Sequence, residues 1–402
     1  MRWATLGAAG PSGTLQDENG VLPFRPDPYS VRVVETATLL SGLLGVTGAA
    51  IPAALSSIAG TSVDPSTIKI DAFPYGYGSP ATAGLWHVRG DGWSRFVKQL
   101  RHVRHWPGLS QLPPDFAATF AAEFPWRSEL ELWDPRVQGS LPPGLRSPVL
   151  HRLVELPGDR LVLWQEYVEQ RAGPWTPGRF RRAAYLLGRW NARAMAPEVL
   201  RVTHRPAGFA LRMYAERAVP FRGLEPLRSD ELWHHPWLKD HGDLRAGLLE
   251  AAARIPELLD RLDGFPQALP HGDAGPQNLL VPADGSAEFA AIDLSFRSPH
   301  ALGFDLGQLL VGLVHAGELA AARMPEISAV IVPAYLGGLA AEGAPTGDAP
   351  AGFAVAALLR SGFDGFRYDL LGREDEESRR LFAERVTMAR FLLEQFRQVA
   401  RR

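Results

Sequence analysis

The hydrophobic pattern changes its period near Val168–Pro174, and that single change limits the architecture more than any other feature of the sequence. Before it, Ser66–Phe73, Ala83–Arg89, Trp93–Leu100, Ser147–Glu155 and Arg160–Val168 are short runs rich in aliphatic and aromatic residues. Gly90-Asp91-Gly92 and Pro157-Gly158-Asp159 separate pairs of these runs and predict antiparallel hairpins. Helices are expected between them near Asp115–Glu123 and Trp126–Trp133, where a proline opens each first turn. After Pro174, apolar residues recur at i, i+3 and i+4 over Pro177–Ala194, Gly208–Arg217, Asp243–Leu262, Phe304–Ala316, Glu326–Ala341, Gly352–Gly362 and Asp375–Arg401. Strands first and helices later imply an α+β chain with two lobes.

The chain has 402 residues, 46% of them hydrophobic and 21% charged, enough for one large core or two to three modest ones. We divide it into an N-terminal arm with short helices (1–65), an N-lobe (66–168) and a C-lobe (169–402). Residues 1–30 lack periodicity and read as an irregular arm. From Thr36 to Val63 there is no charge, and the stretch is long enough to span a bilayer. Its Gly42, Gly45, Gly48, Pro52 and Gly60, with many Ser and Thr residues, instead predict two short helices near Glu35–Leu44 and Pro52–Ile58. Met1 to Gly7 lacks a basic region followed by an apolar core, so a cytoplasmic location and no membrane partner are expected. A formal charge of -2 supplies no global field toward nucleic acid. The absence of cysteine excludes disulfides, thiolate zinc sites and thiol nucleophiles.

One irregular island interrupts the helical half. Pro270-His271-Gly272-Asp273 leads through Asn278 into Leu279-Leu280-Val281, a turn at Asp284-Gly285, and then Phe289-Ala290-Ala291-Ile292-Asp293. The pattern predicts a loop, a strand, a tight turn and a strand ending in a carboxylate, with a register that returns Asp293 beside Asn278. Three oxygen-bearing side chains then converge, a donor set suited to Mg²⁺. Here the sequence resembles the aminoglycoside phosphotransferase family within the protein-kinase-like fold: His271-Gly272-Asp273 with Asn278 matches its catalytic loop, and Ile292-Asp293 its metal-binding aspartate. The tripeptide alone is uninformative. His241-Gly242-Asp243 repeats it, yet Leu248 stands where Asn should be and no hairpin follows.

The resemblance covers roughly residues 66–310 and implies an antiparallel N-lobe with one main helix, a larger helical C-lobe, and ATP (or GTP) with Mg²⁺. It implies that Asp273 accepts or orients a hydroxyl of a small-molecule acceptor, and that Asn278 and Asp293 hold the metal. Lys98, on the third strand, would meet the α and β phosphates. Lysine occurs only at 69, 98 and 239, which sets Lys98 apart in a chain where Arg supplies nearly every positive charge. Glu129 would pair with Lys98, in preference to Glu131 or Glu123. Gly76, Gly78 and Ser79 lie in Tyr75-Gly76-Tyr77-Gly78-Ser79, placed as a nucleotide-covering loop would be. Glu166 and Val168 would offer main-chain groups to the adenine, their side chains mattering little. His271 would brace the loop, and Asp305, in Gly303-Phe304-Asp305-Leu306, would cap its helix and brace the same loop.

Acceptor identity stays open between an aminoglycoside or other antibiotic, as in antibiotic resistance, and a sugar-like metabolite. Trp233-His234-His235-Pro236-Trp237 reads as a packed corner or an aromatic wall. The acidic Glu374 to Glu377 reads as a helix start or as a cation-attracting patch. The alternative to an enzyme is a catalytically silent kinase-like module that binds nucleotide or a partner; monomer and homodimer are both open.

Overall fold

The computed structural model describes residues 36–76 and 78–400; the irregular arm expected at 1–30 and Tyr77 of the glycine-rich loop lie outside them. The chain divides into two compact units, Met1–Arg127 with Pro148–Glu169, and Ser128–Ser147 with Gln170–Arg402. The sequence division at 168 kept 128–147 with the strands. Instead, Leu132, Val137 and Leu145 bury themselves in the large helical core, which draws that segment into the second unit.

In the first unit, strands Lys69–Ala72, Thr82–Gly90, Trp93–Arg101, Arg160–Glu166 and Leu150–Leu156 form, in that spatial order, one antiparallel sheet. Gly92 (φ 73°) and Gly158 (φ 75°) make the two tight turns, in a backbone region where a Cβ is penalised. The uncharged stretch folds into helices Thr36–Leu44 and Ala50–Ala59. Their Leu40, Leu43, Leu55 and Ile58 pack with Val88, Val97, Val162 and Trp164 in one core, and the Trp164 indole donates to the Leu43 carbonyl at 3.0 Å. The apolar surface that could have met lipid is spent on the sheet. The first strand is shorter than expected because Asp64 caps a 3₁₀ turn at Pro65–Thr67.

The second unit is mostly helical. Helix Pro177–Arg193 lies along Met324–Ala341, with Gly188 against the Tyr335 carbonyl and Gly338 against that of Tyr185. Among the described residues Ala321–Ala341 is long and apolar enough to cross a membrane; its Ile327, Ile331, Tyr335 and Leu339 belong to the large core of this unit. Gly188→Ala is expected to destabilise the unit by about 1–3 kcal/mol through overpacking. Gly337→Ala, with nothing within 4 Å of the new methyl, should stabilise it by roughly 0.5–1 kcal/mol; thermal melting of the two variants checks the contrast.

Three expected helices differ. Gly208–Arg217 is α-helical only over Phe209–Met213 and then widens into π-helical turns at Tyr214–Ala218 and Pro220–Leu224, consistent with Pro220 having no N–H to continue a regular ladder. Asp243–Leu262 is two helices, Gly242–Ala252 and Ile255–Asp263, the second opening on Pro256. Trp126–Trp133 is a 3₁₀ helix over Ser128–Trp133. The Trp233–Trp237 segment is a packed corner: Trp233 stands edge-on to Phe366 at 6.2 Å, and Trp237 meets Phe382 at 5.6 Å. In the acidic stretch Asp375 accepts from the Ser378 amide and hydroxyl, both at 2.8 Å, at the start of helix Glu376–Ala400.

Candidate active site

The irregular island folds as a loop and a short hairpin. Gly272 has φ +85°, and a methyl there would collide with the Ser295 carbonyl, so only glycine fits this crossing. The chain then tightens: the Gly275 amide donates to the Asp273 carbonyl at 2.7 Å, and the Asn278 amide to the Gly275 carbonyl at 2.9 Å. Strands Leu279–Leu280 and Phe289–Ala291 pair antiparallel, Leu279 opposite Ala291, and Ile292 N–H reaches the Asn278 carbonyl at 3.0 Å. This register puts Asp293 one residue beyond Asn278's partner. Leu145–Arg146 adds a parallel strand on the other edge of Phe289–Ala291. Asp293 itself is left-handed (φ 58°), a conformation Asp tolerates better than most residues and one that clusters at functional sites.

Asp273 is gripped from two directions. The Asn278 side-chain amide donates to its carbonyl at 2.9 Å and to its Oδ2 at 3.1 Å. Arg360 Nη2 donates to its Oδ1 at 2.7 Å, while Arg360 Nη1 donates to the Gly272 carbonyl. The carboxylate is 23% exposed. Burial pushes its proton affinity above the ordinary aspartate value, against the pull of Arg360 and with help from the Asp293 charge. A more basic carboxylate, part exposed and held at both oxygens, is equipped to receive a proton.

His271 is fully buried and burial pushes its pKa down, so its ring is neutral near pH 7. Its Nδ1 accepts the Asp273 N–H at 3.2 Å, which puts the proton on Nε2; that nitrogen has no hydrogen-bond partner among the described residues, and the ring stands edge-on to Trp190 at 5.9 Å. The imidazole therefore holds the loop from inside. Asp305 departs from expectation in one respect. Gly303 occupies the N-cap of helix Phe304–His315 and no side chain caps it. The Asp305 carboxylate faces the loop, accepting from Gly272 N–H at 2.9 Å and His271 N–H at 3.1 Å, and also from the Asn191 side chain at 3.0 Å. Tyr335 O–H in turn donates to Asn191 at 2.7 Å.

With its amide nitrogen committed to Asp273, Asn278 is left with its amide oxygen as a donor atom. That oxygen and the Asp293 carboxylate are hard ligands of the kind Mg²⁺ takes when phosphates and waters complete its shell. Among the described residues no group of three His, Asp or Glu side chains forms a self-sufficient metal cage.

The remaining expected residues are distributed over both units. Lys98, in the first, is 5% exposed in the middle of strand Trp93–Arg101, opposite Leu85 and Leu163; an ammonium buried there needs a countercharge or a phosphate to offset its desolvation. Ser79 N–H closes a turn on the Gly76 carbonyl at 3.0 Å, with Gly78 inside it. The Glu166 amide is bonded to the Val149 carbonyl at 2.8 Å, and its carboxylate accepts the Val149 N–H at 3.0 Å. That side chain therefore joins two strand ends. Val168, just past the strand, is buried. Glu129 lies in the second unit, 7% exposed on the 3₁₀ helix. Glu131 is engaged elsewhere, by Arg297 Nε at 2.9 Å, and the same guanidinium donates to the Pro270 carbonyl; Glu123 is exposed. The second His-Gly-Asp lies at a helix start, where Asp243 pairs with Arg390, whose hydrogen bonds pull the Asp243 pKa down to about 2.

Sequence reasoning missed Arg360, Asn191 and Arg297. For Arg360 a signal existed: it is the one charge between Asp348 and Asp364, on a helix otherwise made for burial. Asp305 has the same signature between Arg297 and Glu318.

No family model matches the sequence, and no curated protein matches it. Solved structures do match. A microcompartment-associated aminopropanol kinase aligns over 83% of this chain and 95% of its own, at 15% identity and a TM-score of 0.50. An amicoumacin kinase in complex with AMP-PNP and Ca²⁺ aligns over 84% and 89%, at 14% identity and a TM-score of 0.48. An aminoglycoside phosphotransferase from Alicyclobacillus acidocaldarius aligns over 79% and 90%, at 14% and 0.48. The chain has the protein-kinase-like fold, with an antiparallel five-stranded sheet and a mostly helical remainder.

Proposed function

We propose that this protein is a small-molecule kinase that moves the γ-phosphoryl group of ATP to a hydroxyl of a small acceptor. The observation that carries the reading is the Asp273 carboxylate, part exposed, raised in basicity by burial and bonded at Oδ2 to Asn278, on a hairpin whose register brings the backbone of Asp293 one residue past the partner of Asn278. Phosphoryl transfer through a loose transition state needs alignment and charge neutralisation more than covalent help. In this reading Asp273 orients the acceptor hydroxyl and takes its proton. Asn278 and Asp293 hold Mg²⁺, which supplies charge neutralisation at the phosphates when bound. Lys98 meets the α and β oxygens. Main-chain groups at Glu166 and Val168 meet the adenine, and the turn at Gly76, Gly78 and Ser79 covers the nucleotide. His271 and Asp305 keep the loop in shape. We place the reaction in the cytoplasm as part of this proposal.

The acceptor is a hydroxylated small molecule, an antibiotic or a sugar-like metabolite; the fold shared with a kinase named for aminopropanol supports a small alcohol as the general class. Incubation with Mg-ATP and a panel of aminoglycosides, nucleoside antibiotics, amino alcohols and sugars, read by the mass of an added phosphate, tests the proposal. Absence of any product points to the silent module instead, a nucleotide-binding one where ATP still binds and a partner-binding one where Mg-dependent ATP binding is absent as well. Chelation of divalent metal should abolish turnover, and Asp293→Asn should lower it at least about 100-fold, since a metal ion contributes several kcal/mol of transition-state charge stabilisation; steady-state rates across a Mg²⁺ titration measure both.

A further inference from the structure

Arg360 ends a helix, Ala349–Ser361, that is buried along most of its length, and its guanidinium is 11% exposed. A charge so placed is costly unless several groups compensate it. Four do. Asp273 Oδ1 accepts from Nη2 at 2.7 Å, the Gly272 carbonyl accepts from Nη1, the Phe296 ring lies 4.0 Å from the guanidinium carbon, and the Phe304 ring lies 5.7 Å from it. Phe296 is itself held, left-handed at φ 47° and edge-on to Tyr214 at 5.6 Å, whose hydroxyl is bonded to Asp364. The planar fork therefore lies against two rings and grips two successive residues of the loop.

This has a geometric consequence for Asp273. A carboxylate with one anchored oxygen can still swing about its side-chain torsions; one whose two oxygens are held by donors on different elements cannot. Asn278 holds Oδ2 and Arg360 holds Oδ1, so the lone pairs that remain point in a set direction. We propose that Arg360 is a positioning residue for phosphoryl transfer: it sets the direction in which Asp273 meets the acceptor hydroxyl, and it fixes the Gly272 carbonyl that precedes it. The inference rests on the kinase reading, which itself requires Asp273, Asn278 and Asp293 and makes no demand on Arg360. Lysine is a poor substitute, because a point charge can neither lie flat against the rings nor donate in two fixed directions.

The test uses the full chain with whichever acceptor the panel yields, comparing Arg360→Met, Arg360→Lys, Asp273→Asn and the double variant Asp273→Asn/Arg360→Met. Arg360→Met should lower kcat about 100-fold, the scale of a small misplacement in an oriented site, with the KM for ATP unchanged. Arg360→Lys should recover part of that loss. Because Arg360 acts through Asp273, the double variant should be no slower than Asp273→Asn alone. A full-speed Arg360→Met, or losses that multiply in the double variant, overturns the inference while a slow Asp273→Asn leaves the kinase reading standing; a full-speed Asp273→Asn overturns both. Should Arg360→Met fail to melt cooperatively, Arg360→Lys decides alone: wild-type kcat in a folded Lys variant removes the positioning role, and a reduced kcat at unchanged KM for ATP supports it.

Discussion

Asp273→Asn is expected to lower turnover by about 10²–10⁴-fold, the range that a positioned general base contributes, while ATP still binds. The substitution keeps the volume of the side chain and removes its ability to take a proton. It also sets an amide among donors: Asn278 Nδ2 and Arg360 Nη2 both point at the carboxylate oxygens, so one of them must face an N–H in either orientation of the new amide. Part of the loss will therefore be misorientation as well as lost basicity. Steady-state kinetics with the identified acceptor gives the first effect, and calorimetric titration with Mg-ATP shows whether nucleotide binding survives. A variant that turns over at the normal rate would remove Asp273 from the mechanism, and with it the proposed reaction.

The second large effect should come from a residue that touches no substrate. Asp305→Asn is expected to cost about 3 kcal/mol, because two of the three buried donors lie on one strand of backbone and cannot turn away. Both carboxylate oxygens are used: Oδ1 accepts from Gly272 N–H, and Oδ2 from His271 N–H and the Asn191 amide. Any orientation of an asparagine opposes at least one N–H to another. For a unit of this size the loss corresponds to a melting temperature lower by roughly 6–12 °C. Turnover should fall with it, since the amides that lose their partner set the path of the loop into Asp273. Unchanged melting and unchanged activity would mean that Gly272 and the hairpin shape the loop without help.

The loop-and-hairpin geometry was legible because its determinants are neighbours along the chain. Gly272 permits the crossing, Gly275 and Pro276 tighten the loop onto Asn278, and the turn between Leu280 and Phe289 returns the chain by a fixed register. Each step is a local preference for a dihedral or a short hydrogen bond, and local preferences are what a sequence displays. The helix at Gly208–Arg217 shows the limit of the same logic. Its apolar spacing is that of an α-helix, but only Phe209–Met213 keeps that pitch before the turns widen around Pro220, which has no N–H for a regular ladder.

What the amino-acid order determined alone is therefore the shift from sheet to helix, the strands and most of the longer helices, and the loop and hairpin that carry Asp273, Asn278 and Asp293. The tertiary structure decided which distant groups close around that trio. Arg360 lies 87 positions from Asp273, Asn191 lies 114 from Asp305, and Arg297 lies 166 from Glu131. Nothing in the spacing of an apolar helix states which neighbour its single charge will meet, because that depends on how buried faces from several helices share one core, a choice made by summed packing over the whole unit.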